Sequence, residues 1–274
     1  MADTSMYEVV LLTGDRGPTD PVAAAAGVAV KALAPVAKVP LLRRALDNLV
    51  ATGRFERYIV VGPASDLRAR DPVIRAQTSR PGVHWIPPGD GPSASAAKAL
   101  AELPTATPVL ITTVDHALPR TGWINEFLDA AACSDADFCL GVVRKAAVEA
   151  AYPDSRCTGF DFADAVYCGC NLFALNTARA RRAVALWRRV EQRRKRPWTV
   201  IRVLGVFNLL RYWTGRLSLR QGLDALGARL GIHIEAVLVS DPAAALDIDS
   251  PTDWEQANRW VQRVAPQPVR SSAG

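Results

Sequence analysis

No stretch of this sequence approaches the ~20 uninterrupted apolar residues that a membrane span requires, so no spanning helix is expected. The opening residues, MADTSMYEVV, lack the cationic and apolar regions of an export signal, which points to a cytoplasmic protein. Cysteine is sparse: Cys133, Cys139, Cys157, Cys168 and Cys170 form no CxxC pair, which excludes a zinc ribbon. An odd number without an export signal implies reduced thiols and no disulfide framework, with Cys168 and Cys170 as small buried hydrophobes. No internal repeat is visible, and the first glycine turn holds only Gly14 and Gly17, with no G-K-[ST] after it. A Walker loop and a GxGxxG dinucleotide fingerprint are both excluded. Acid is nearly missing from residues 179–220, where thirteen arginines and lysines face Glu191 alone. That segment carries +12 in a chain of net +6, leaving −6 elsewhere, and such asymmetry marks a surface that meets phosphates.

What is present is ordinary for a folded chain of 274 residues: 49% apolar and 22% charged, enough for a sizeable core. Short β-branched runs at 7–12, 57–62, 83–86, 108–114 and 137–143 read as buried strands. Helical patterns lie between them, at 41–52, 66–77, 93–102 and 121–132. This alternation predicts a parallel, doubly wound α/β sheet. Beyond residue 150 the rhythm changes to a longer strand at 165–175, helices at 177–194, 198–214 and 218–230, and a strand at 234–240. A last helix opens with Ser250 as N-cap and Pro251 at its first position, and Asp253 in its first turn suits capping. One domain over 1–274 is expected, with a basic helical insertion at 177–230 and a disordered tail at 265–274.

Chemistry-bearing residues cluster at strand ends. Asp115 follows an apolar strand, at the carboxyl edge where open α/β sheets bind ligands. Asp247 and Asp249 lie two apart on an extended segment and share a face, so either can join Asp115 around one cation. Arg16 and Lys31 supply positive charge, while His116, with no cysteine or second histidine near it, reads as a packing or supporting residue. Arg179 to Arg196 form a basic helix, followed by an apolar, Trp-containing stretch through Trp213. A solvated face over packed helices is one reading, and an element leaning on an anionic membrane is the other.

LLTGDRGPTD after the first strand, Lys31 within KALAPV, the Pro-Leu-Leu start near Pro40, GDGPSASAAKAL, ITTVDHALP, CGCNLFAL and LDIDSPTDWEQA occur in order. Together they resemble the MobA-like NTP transferases, nucleotidyltransferases of GT-A-like fold. The resemblance implies a Rossmann-type three-layer α/β/α architecture with a mainly parallel sheet and a helical insertion. It implies a Mg²⁺-dependent transfer of NMP from an NTP, CTP or GTP, to a phosphorylated acceptor, with release of pyrophosphate. Nucleotide contacts would come from Leu12, Thr13, Gly14, Asp15, Arg16 and Lys31, and the base from Gly91, Pro92 and Ser93. Lys31, Arg16 and Asp115 would be catalytic, Asp115 and Asp249 would hold the metal, and Gly169 and Asn171 would meet the acceptor. Asp15 departs from the family, which commonly has a second loop glycine there. A GT-A glycosyltransferase using Asp247-Ile248-Asp249 as its DxD, or a non-catalytic nucleotide-binding or membrane-associated protein of this fold, are the alternatives. No nucleic-acid partner is expected, and peripheral contact with an anionic inner membrane face through 179–216 is the alternative to a solvated basic face.

Overall fold

The computed structural model describes residues 6–14, 19–116, 118–192 and 205–264. Its main sheet is built from β1 (Tyr7–Leu12), β4 (Phe55–Val61), β5 (Val83–Ile86), β6 (Val109–Thr113), β7 (Phe138–Arg144), β8 (Gly159–Asp161), β9 (Val166–Leu175) and β10 (Ile234–Leu238). A separate two-residue hairpin pairs β2 (Pro35–Val36) with β3 (Val39–Pro40). The strand order is β10-β7-β9-β6-β1-β4-β5, with β8 paired to β9. β1 is buried along its whole length, which is why it reads as a continuous apolar run instead of alternating. Val9 and Leu11 face one core, and Val10 and Leu12 face the other.

Helices cover both faces. α1 (Pro21–Ala26), α2 (Leu41–Ala51), α3 (Ser65–Arg70), α4 (Pro72–Thr78), α5 (Pro92–Ala101), α6 (Thr121–Cys133) and α7 (Lys145–Ala151) alternate with the strands. In α2, Leu42, Leu46 and Leu49 recur at helical spacing and are buried, and truncating Leu46 to Ala would cost about 2–5 kcal/mol. The pattern at 66–77 resolves into two helices, because Asp71 caps α4 from an extended conformation and Pro72 occupies its first position. α8 (Arg181–Gln192) packs on α5 in the second core, with Val184 and Trp187 reaching it. α9 (Val206–Trp213), α10 (Leu219–Leu230) and α11 (Pro251–Val264) complete the chain.

β1 lies between β6 and β4, so the chain leaves it toward opposite edges and a crevice opens at the carboxyl ends of β1 and β6. Inserting antiparallel β9 between β6 and β7 brings a second group of residues there. The β7–β9 register slips near Leu140, and Asn171 sits in the irregularity with φ 48°, a left-handed conformation that asparagine tolerates better than most residues.

One expectation is corrected. Cys157 and Cys168 are joined by a disulfide, so the five thiols are not all reduced. Antiparallel pairing of β8 with β9 sets Gly159 opposite Cys168 and carries Cys157 to it, a long-range consequence invisible in cysteine spacing. Cys139 and Cys170 are free and buried. The tail at 265–274 lies outside the described residues, as does the stretch 193–204.

Candidate active site

The crevice is organised by a buried lysine. Lys31 opens a short 3-10 turn, Lys31–Leu33, whose apolar neighbours Ala32 and Leu33 anchor it in the core. Its Nζ lies 2.6 Å from Asp115 Oδ2, 3.6 Å from Asp249 Oδ1 and 3.2 Å from the Ile248 carbonyl. Burial alone would lower the lysine pKa, but the Asp115 carboxylate outweighs it and holds the ammonium charged. Burial likewise pushes Asp115 up, and the Lys31 ammonium pulls it below the usual carboxylate range.

The closing segment docks on this pair through its backbone. Ile248 N–H donates to the Asp115 carbonyl, and Asp247 forms an antiparallel bridge with His116. Asp247 Oδ2 accepts from Asn171 Nδ2 at 2.8 Å, and its Oδ1 lies 3.6 Å from His116 Nδ1. Burial, with Asp115 and Asp249 nearby, raises the Asp247 carboxyl well above its ordinary value. Burial lowers His116 to about 4, so its imidazole is neutral; it lies tilted against Trp123, with ring centres 5.1 Å apart, and pairs with Thr112 Oγ1. Asp249 is the most open of the three acids, with 64% of its side chain exposed. Asp253 is engaged in capping: its Oδ2 accepts from the N–H groups of Asp249 and Ser250 and from the Ser250 hydroxyl.

The donor set suits a hard divalent cation. Two carboxylates, Asp115 and Asp249, flank one ammonium with Asp247 in the same segment, and Asp115 Oδ1 and Asp247 Oδ1 are buried without a hydrogen-bond partner. Among the described residues no three acidic, imidazole or thiol groups already converge as a metal shell. Mg²⁺ needs only one or two carboxylates when substrate phosphates and water complete its shell, so Asp115 and Asp249 are residues that could hold it.

Thr13 closes the opposite wall, its N–H and hydroxyl both donating to the Val61 carbonyl at the end of β4. Gly14 is exposed beyond it, whereas Asp15 and Arg16 lie outside the described residues. Gly91, Pro92 and Ser93 form the start of α5, and there an unforeseen residue enters. The Glu191 carboxylate, on α8, accepts from the Ser93 N–H at 3.0 Å, and a side chain on Gly91 would run into it. Its only signal in the sequence is that it is the lone acid of the basic segment.

Beside Asp247 and Asp249 a cavity of about 220 Å³ is lined by Arg156, Phe160, Gly169, Asn171 and Trp260, with the Cys157–Cys168 disulfide in its wall. Gly169 thus borders it directly. Asn171 borders it too, while spending its amide on Asp247. The fold therefore brings Lys31, Asp115, Asp247, Asp249 and Asn171 together, with Gly91–Ser93 held at a separate helix start.

A family model for the MobA-like NTP transferase domain matches residues 10–204. No curated protein matches the chain. Among solved structures, a hypothetical transferase of Thermus thermophilus is 26% identical with a TM-score of 0.73, the match covering 91% of this chain and 100% of that one. A 4-diphosphocytidyl-2C-methyl-D-erythritol synthase of Anaerococcus prevotii is 11% identical with a TM-score of 0.58, covering 95% of this chain and 98% of that one. A CMP:2-keto-3-deoxy-manno-octonic acid synthetase complexed with CTP is 12% identical with a TM-score of 0.56, covering 94% and 99%. The last two likenesses show the fold.

Proposed function

Because the chain belongs to the MobA-like NTP transferase domain family, and so to the nucleotidyltransferases, we propose that it transfers an NMP unit from CTP or GTP to a phosphorylated acceptor. An acceptor phosphate oxygen attacks the α-phosphorus, the bond from that phosphorus to the bridging oxygen breaks, and pyrophosphate leaves. The observation that carries this reading is the buried Lys31 ammonium held against Asp115 at the carboxyl ends of β1 and β6. A fixed cation in a water-poor crevice stabilises charge that develops on phosphate oxygens without reorganising. Asp115 and Asp249 are the residues that would hold Mg²⁺, which neutralises phosphate charge when bound. Arg16 adds a second cation to the phosphate loop. Gly91, Pro92 and Ser93 receive the base, and Gly169 and Asn171 border the acceptor cavity. Asp247, pinned by Asn171, orients the closing segment that delivers Asp249.

The test is pyrophosphate release, measured for each of the four NTPs with Mg²⁺ against a panel of sugar 1-phosphates and alcohol phosphates. Release with one NTP that depends on an acceptor phosphate supports the reading. Turnover of a nucleotide-sugar without any pyrophosphate release would replace it with glycosyl transfer.

A further inference from the structure

Several arginines of the basic segment have structural duties. Arg181 donates to the carbonyls of Leu100, Leu103 and Pro104 behind α5, Arg182 donates to those of Leu230 and Gly231 at the end of α10, and Arg179 pairs with Asp137. α9 is different. Val206, Phe207, Leu210 and Trp213 fall at i, i+1, i+4 and i+7, one face of the helix, and are 71%, 71%, 56% and 75% exposed. The helix is seated from elsewhere on its surface. Tyr212 packs edge-on against Phe162 at 5.6 Å, and Arg211 donates to Gln221 and to the Arg216 carbonyl. Contiguous exposed apolar side chains of this size mark a contact surface.

We propose that this face of α9 docks on an anionic lipid surface, lying in the interface plane. Eight residues are too few to cross a bilayer, and no helix among the described residues is long and apolar enough to do so. Over 205–223 the charges are Arg211, Arg216 and Arg220, with no acid. Arg216 is exposed, and Arg220, its side chain 90% exposed, lies 4.0 Å from Asp224. Cations beside a Phe- and Trp-bearing apolar face are the combination that favours anionic headgroups over acyl chains. A two-fold contact with a second copy through the same face would oppose arginine to arginine, so the lipid surface fits better. Phe162, which seats α9 through Tyr212, follows β8 and lies two residues along from Phe160 in the cavity wall, so α9 is seated beside the strand that borders the cavity. The proposal goes beyond the chemistry given to the crevice and stands without it.

The experiment is co-sedimentation of the purified protein with vesicles of phosphatidylcholine alone and with added phosphatidylglycerol, at low and physiological salt. Binding is expected to require the anionic lipid and to weaken with salt, because attraction is screened over ~8 Å at physiological ionic strength. F207S/W213S is expected to lower the partition coefficient by about tenfold or more, and R216Q/R220Q to lower it at low salt and flatten its salt dependence. Circular dichroism melting confirms that each variant is folded. No binding of wild type at low salt overturns the proposal, as does binding that F207S/W213S leaves unchanged. A wild-type dimer, seen by light scattering, that F207S/W213S converts to monomer would assign the face to a second copy instead.

Discussion

The crevice and α9 invert the usual distribution of side chains in opposite ways. In the crevice a lysine and two aspartates, Asp115 and Asp247, are largely taken out of water, and the cost is offset by the Lys31–Asp115 pair and by the Asn171 amide on Asp247. On α9 a phenylalanine and a tryptophan are left largely in water, Phe207 with the Arg211 guanidinium 5.8 Å from its ring centre. The first arrangement is complete enough to fold, and among the described residues it leaves Asp115 Oδ1, Asp247 Oδ1 and His116 Nδ1 without a hydrogen-bond partner. The second contributes little to folding. Stability and function should therefore separate cleanly between the regions: substitution in the crevice should disturb both, and substitution on α9 should disturb neither in a soluble assay.

The largest effect is expected for Asp115→Asn, which removes a carboxylate from the proposed metal and takes the nearer of two counter-charges from the Lys31 ammonium. Turnover should fall on the order of 10²–10³-fold, read as pyrophosphate release. Asp115→Ala should in addition lower the melting temperature more than Asp115→Asn, because both break the buried ion pair, at ~3–5 kcal/mol, and only the amide keeps an oxygen that can accept from Lys31 Nζ. Lys31→Ala comes next. It should lower kcat more than it raises the nucleotide KM if the ammonium mainly meets transition-state charge, and an effect confined to KM would make it a binding residue only.

Asp137 sharpens the comparison from outside the crevice. It is buried and accepts from Thr177 Oγ1 and His233 N–H, with Arg179 at 3.1 Å. Burial opposes its ionisation, but these donors win and hold its pKa below normal. Because the folded value is depressed, the stabilisation is present above the ordinary carboxylate pKa, about 4, and is lost as pH falls through the folded value. Asp137→Asn should cost ~1–3 kcal/mol at neutral pH and leave the acid limb of the stability curve shallower, with activity per folded molecule unchanged. Glu191→Gln should have a smaller effect. If the base seats at Gly91–Ser93, weakening the competing carboxylate should tighten NTP binding a few-fold in calorimetry, and weaker binding would make Glu191 a reader of the base. The smallest effect belongs to Phe207→Ser with Trp213→Ser, within ~0.5 kcal/mol in thermal denaturation.

The fold was legible because its strands are short β-branched runs buried on both faces and its helices carry regular apolar periods. Strand β1 and helices α2 and α6 lie within a residue or so of where the pattern puts them. Weak local signals were missed: α1 is an alanine-rich helix of six residues, and β8 has three. The crevice was legible in part, since Lys31, Asp115 and Asp249 each stand in a recognisable strand-end motif. Contacts set by distant pairing were not. The Cys157–Cys168 bond depends on β8 folding onto β9, and Glu191 reaches Ser93 only because α8 packs on α5. Asp247 was seen as a candidate ligand, but its tie to Asn171 follows from the register slip in β9.

The central claim is that the Lys31–Asp115 crevice binds an NTP with Mg²⁺. Thermal denaturation of the wild type and of Asp115→Asn, with each of the four NTPs, in Mg²⁺ or in EDTA, tests it most directly. The account expects at least one NTP to stabilise the wild type by ~2.7 kcal/mol at 100 times its Kd, with most of the shift lost in EDTA and in Asp115→Asn. A wild type that no NTP stabilises at millimolar concentration, or an Asp115→Asn shift equal to that of the wild type in Mg²⁺, would contradict it.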